Sequence, residues 1–182
     1  MRTTKIILTL LAFAITTITA TAQSKLPVDE DTKLITYTKV VEVAGTNKTD
    51  LYNRGFAWAN KFYKNPADVI REKDAVAGKM VCKARFKLMN EPDKTGLQTN
   101  AGDVMYTLTL DFKEGKFRYK LTEINWQQLS YYPAEKWMNK NDQKWLPVWD
   151  FYLKQVDENA NKIIADFSKA ISEAPKVKKD DW

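Results

Sequence analysis

Five basic side chains fall where strands would present them together. Lys83, Arg85 and Lys87 alternate along one stretch, and Arg118 and Lys120 alternate along another. Successive residues of a strand point to opposite faces, so each set shares a face. Bases held side by side suit an anionic partner, whether a polysaccharide, a phosphorylated headgroup or an acidic protein. If the strands are neighbours, Thr107, Thr109 and Asp111 lie between the two sets. The same pattern also serves as a solvated face whose lysines discourage edge pairing.

A second constellation is aromatic. Tyr131, Tyr132, Trp137, Trp145 and Trp149 crowd one segment at irregular spacing. Rings of this kind form stacking platforms for sugars or line apolar pockets. Equally, they form a flap that seals the core between a sheet and the last helix.

Catalytic chemistry has little to work with. The chain has no histidine, which excludes it as base, acid or metal ligand. Its one cysteine, Cys82, excludes an intramolecular disulfide and a CxxC site. Cys82 also alternates in phase with Met80, Ala84, Phe86 and Leu88, the pattern of a small core residue. Hydrolysis by carboxylates alone remains open, with Asp111, Glu123, Glu135 and Asp142 as candidates, though none sits in a motif. Asp29-Glu30-Asp31 reads as a solvated charge run, and Asn139 to Asp142 lacks the glycine and terminal glutamate of a calcium loop. No cofactor is indicated, and the reading is of a non-enzymatic protein.

The elements that must position these residues are clear. Leu34 to Val43 alternates as a strand. Asn47 caps a helix in which Leu51, Gly55, Trp58, Ala59 and Phe62 share one face, with Trp58 and Phe62 as its anchors. Gly55 in that helix suggests close approach to the sheet, and Asn65-Pro66 ends it. Strands follow over Val69 to Asp74, Lys79 to Leu88, Val104 to Phe112 and from Phe117, with a turn at Gly115. The apolar phase slips between Leu121 and Ile124, which predicts a bulge or the strand's end. From Trp149 to Ser172 a long apolar stripe predicts a second helix. The order is β-α-β-β-β-β-α. With one apolar row per strand and two helices to cover it, both helices belong on the same face of an antiparallel sheet, in an α+β domain.

This order resembles a family of exported bacterial domains of unknown function with a TBP-like fold. The likeness runs from Leu34 to Trp126, through Leu51-Tyr52, Trp58, Phe62, Val69-Ile70, Asp74, Gly78 and the Gly115 hairpin. It implies a fold and brings no activity or site residue with it. TATA-binding proteins grip DNA with the equivalent sheet face, but this face lacks intercalating phenylalanines, so nucleic acid is not expected as a partner.

Arg2 and Lys5, the 13-residue apolar run Ile6 to Ile18 and Ala20-Thr21-Ala22 fit a secretory signal peptide spanning 1–22. The run is short of the ~20 residues that span a bilayer, so no membrane span is expected after cleavage. Removing it takes the net charge from +6 to 27 − 23 = +4. A flexible lead-in over 23–33, one domain over 34–172 and a frayed tail over 173–182 would complete the 182 residues. The expected role is an exported binding or accessory module of the cell envelope, in the periplasm, outer envelope or extracellular space. Its partner would be an anionic envelope component or another envelope protein. The alternative is a carrier holding a small apolar ligand between helices and sheet.

Overall fold

The computed structural model describes residues 26–127 and 130–173. The expected signal peptide, the start of the lead-in and nearly all of the expected tail lie outside them. Among the described residues no helix is long and apolar enough to cross a membrane.

Six antiparallel strands form the sheet: β1 (Tyr37–Glu42), β2 (Ile70–Asp74), β3 (Lys79–Met89), β4 (Asn100–Lys113), β5 (Lys116–Gln127) and β6 (Tyr131–Pro133). Their spatial order is β1-β5-β4-β3-β2, with β6 paired to the far end of β5. Three α-helices and a 3-10 turn (Ala134–Met138) accompany them among the described residues: α1 (Lys48–Phe62), the single turn α2 (Pro66–Val69) and α3 (Val148–Ser172). The architecture is the expected α+β arrangement, with α1 and α3 on one face.

Alternation explains the sheet's inner surface. Met80, Cys82, Ala84 and Leu88 of β3, Val104, Tyr106, Leu108, Leu110 and Phe112 of β4, and Phe117, Tyr119 and Leu121 of β5 are all buried. The α1 stripe of Leu51, Tyr52, Trp58 and Ala59 covers them, as does the α3 stripe from Trp149 to Ile171. Asn47 caps α1 as expected, its Oδ1 accepting the Asp50 N–H at 2.8 Å. Gly55 is where α1 seats on the sheet: a Cβ there would lie 2.4 Å from Cζ of Phe112.

Three features depart from the sequence expectation or add to it. Phe62 is not a core anchor; it is 38% exposed and stacks on Trp58 with centroids 4.8 Å apart. The chain leaves the helix at Tyr63, which turns its ring inward and takes the core position at that end. β2 begins at Ile70 rather than Val69, because Pro66 starts a helical turn before it. The sixth strand, β6, is three residues long and ends in proline, too short to carry a period.

The phase slip in β5 is a bulge. Met105 pairs with Asn125 while Thr107 pairs with Thr122, so β5 carries one residue more than β4 between those pairs. Glu123 absorbs it with φ of 54°, in the left-handed region that side chains other than glycine's seldom adopt. Ile124 is thereby returned to the core.

Candidate functional site

The outer sheet face is where the expected basic set lies. Strand order places β4 between β3 and β5, which makes Lys83, Arg85, Lys87, Arg118 and Lys120 neighbours on one surface. Three of them stand beside acids. Both Nε and Nη2 of Arg118 donate to Asp111, at 3.0 and 2.8 Å. Arg85 lies 3.6 Å from Asp103, and Lys83 lies 3.6 Å from Glu123. Lys120 sits in the field of Asp29, whereas Lys87 has no ion-pair partner among the described residues. Acids contributed by β4 and the bulge thus interleave with the bases, so the face carries mixed charge and a weak net field.

Asp29 belongs to a turn upstream of β1 and within the segment read as a lead-in. Val28 forms a bridge with Ile35, and the Asp29 carboxylate accepts the Thr32 N–H and hydroxyl, each at 2.8 Å. The Thr32 backbone bond, foremost, holds Asp29 below the usual carboxylate range. That carboxylate closes a turn.

The aromatic segment separates into a flap and one outlying ring. Trp137 is fully buried, with Trp126 edge-on at 5.7 Å and Tyr152 of α3 at 5.6 Å. Trp149 is buried in α3, and Tyr132 packs on it at 5.8 Å. Trp145 is half-buried and donates Nε1–H to the Trp137 carbonyl at 2.8 Å. Tyr132, Trp137 and Trp149 therefore pack between the β5–β6 edge and α3, and Trp145 is tied to them through the Trp137 carbonyl. Tyr131 alone stands out, 64% exposed and held at the end of β5 by its pairing with Gln127.

The four candidate carboxylates are dispersed, with one exception. Asp111 is engaged by Arg118, and Asp142 accepts the Lys144 N–H at 2.9 Å in a turn. Glu123 and Glu135, however, line one cleft. The cleft has a volume of about 500 Å³ and opens where the outer face meets β6. Lys83, Thr107, Glu123 and Asn125 come from the sheet; Tyr131, Pro133 and Glu135 come from the flap; Leu34 closes one side. Thr107 donates its hydroxyl to Glu123 Oε2 at 2.6 Å, and Glu135 Oε1 accepts the Ile35 N–H at 2.8 Å. Sequence reasoning considered these carboxylates for catalysis and missed Thr107 and Asn125 as partners in a site. The phase slip at Leu121–Ile124 was the available signal, since bulges gather at functional positions.

Elsewhere, α1 and α3 leave a surface groove of about 620 Å³ beside Trp58, Phe62 and Asp166. Between helices and sheet lie Phe112, Phe117, Leu110 and Phe167, all almost wholly buried.

A family model described as a domain of unknown function (DUF4468) with TBP-like fold matches residues 37–127. Among solved structures, a DUF4468 family protein from Bacteroides ovatus is similar, with a TM-score of 0.63 at 20% identity, covering 83% of this chain and 93% of that one. A TBP-like protein from Parabacteroides distasonis is similar with a TM-score of 0.63 at 17% identity, covering 82% and 98%. No curated protein sequence matches the chain.

Proposed function

This chain belongs to the DUF4468 family, a domain of unknown function with a TBP-like fold, and on that footing we propose a non-enzymatic binding module of the bacterial cell envelope. Export is part of the proposal and rests on the basic start, short apolar run and small-residue site at residues 1–22. The observation that carries the binding role is the cleft at the Glu123 bulge. There a strained backbone, a lysine, an amide, two carboxylates and an exposed tyrosine converge on one concavity.

The mixed charge of the face argues against nucleic acid, because Asp103, Asp111 and Glu123 would oppose the phosphates. A carrier role has no comparable observation behind it, the side chains between sheet and helices being buried core residues. Amide chemical-shift mapping with three probes tests the reading: neutral trisaccharides, anionic phosphatidylglycerol vesicles and poly-glutamate. Shifts gathered on Lys83, Thr107, Glu123, Asn125 and Tyr131 with any probe are expected. Silence of these residues with all three, or shifts confined to the α1–α3 groove, would overturn it.

A further inference from the structure

We infer that the cleft at the Glu123 bulge is a saccharide subsite, in which Tyr131 stacks on a neutral sugar ring and Glu123, Glu135, Asn125 and Lys83 meet its hydroxyls. The inference deepens the binding reading above and rests on it.

Complementarity of hydrogen bonding is the first argument. A sugar hydroxyl both donates and accepts, so its best surroundings mix acceptor-only, donor-only and two-way groups. Carboxylates of Glu123 and Glu135, the ammonium of Lys83 and the amide of Asn125 supply that mixture around one cleft. Capacity is left over. Thr107 and Lys83 both address Oε2 of Glu123, and Ile35 occupies only Oε1 of Glu135. Oε1 of Glu123 and Oε2 of Glu135 have no hydrogen-bond partner among the described residues. Asn125 donates Nδ2–H to the Glu123 carbonyl at 2.8 Å, which orients its amide and leaves Oδ1 to accept.

The ring supplies the second argument. Tyr131 is 64% exposed although its neighbours Tyr132 and Trp137 are drawn into the flap. An exposed aromatic ring lining a cleft of mixed polarity offers a flat apolar surface to the C–H face of a pyranose, with few torsions to immobilise. Pairing of β6 with β5 sets its height above the cleft.

Charge decides between ligand classes. Two carboxylates against one ammonium give the cleft no attraction for an anionic headgroup or acidic peptide, whereas a neutral saccharide bears no such penalty. Glu123, at the bulge with its positive φ, is one of the residues lining the cleft.

The test uses the neutral arm of the same shift mapping, with maltotriose, cellotriose and tri-N-acetylglucosamine at millimolar concentration. At least one should move Lys83, Glu123, Asn125 and Tyr131 saturably. Tyr131→Ala should weaken that association about tenfold, while Tyr131→Phe retains it because the ring does the stacking. Glu123→Gln should weaken it as well, with amide dispersion elsewhere unchanged. Cleft shifts with vesicles or poly-glutamate but with none of the sugars would overturn the saccharide assignment and leave the binding reading standing. No cleft shift with any probe would overturn both. Unaltered affinity in Tyr131→Ala would overturn the stacking role on which the assignment depends.

Discussion

Nε1–H of Trp58 donates to Oδ1 of Asp166 at 2.6 Å, fastening α1 to α3 across the top of the core. Trp58 is buried, and it also meets Phe167 edge-on at 5.0 Å. One residue therefore joins the two helices by a polar contact and an apolar one. Trp58→Ala should cost about 3–5 kcal/mol in denaturant unfolding, as for other buried aromatics. A double-mutant cycle of Trp58→Phe with Asp166→Ala should return a coupling of about 1 kcal/mol, since the bond is charge-assisted but partly solvated. A coupling of zero would assign the whole effect to packing.

Gly55→Ala reverses the sign that helix propensity alone would give. In a free helix, alanine is better than glycine by about 1 kcal/mol. Here the added methyl meets the ring of Phe112, which is itself 1% exposed and has nowhere to go. Net destabilisation of about 1–3 kcal/mol is expected. The companion change Phe112→Leu should recover part of it, and equal or greater stability for Gly55→Ala alone would show that α1 does not approach so closely.

Alkali should loosen the fold through a buried cluster. Burial pushes the Cys82 thiol up to about 12, although a Tyr63 hydrogen bond pulls the other way. Burial likewise pushes Tyr106 up to about 12 and raises Tyr63. The unfolded thiol and phenol ionise near about 8.5 and 10, so the folded state keeps protons that the unfolded state releases. This contribution to stability is complete below about pH 8.5 and is lost as pH rises through about 12. Urea midpoints measured from about pH 8 to 11 should fall, and Cys82→Ala should postpone the fall toward the phenol range. A flat profile would contradict the cluster's burial.

Glu123 offers a test of backbone strain that is independent of its carboxylate. Glu123→Ala and Glu123→Gly both lose the Thr107 bond, but only glycine adopts φ of 54° freely. The glycine variant should therefore be the more stable of the two by about 1 kcal/mol in thermal or urea unfolding. Equal stability would mean that the bulge relaxes when the side chain is removed.

Most of the scaffold was legible because its signals are local. Alternation along β3, β4 and β5 named the core residues, and the α3 stripe from Trp149 to Ile171 was legible except for Leu153, which is also buried. The slip at Leu121–Ile124 even located the bulge. Phe62 failed because periodicity assigns a face but not how far the covering extends, and Tyr63 took the inward place.

The candidate site was read less well, for a reason visible in its members. Lys83 and Arg118 share a face by parity, and parity put Thr107, Thr109 and Asp111 between them only on the condition that the strands are neighbours. Strand order brought Asp103 and Glu123, besides the expected Asp111, among the bases. Pairing of the three-residue β6 with β5 then chose which of five rings would stay in solvent and set Tyr131 beside Glu123. By itself the sequence determined the long elements, most of their inward faces and the absence of histidine and of an intramolecular disulfide. Only the tertiary structure decided which charges cancel and which aromatic remains available, because both depend on contacts between segments far apart in the chain, where no local period reaches.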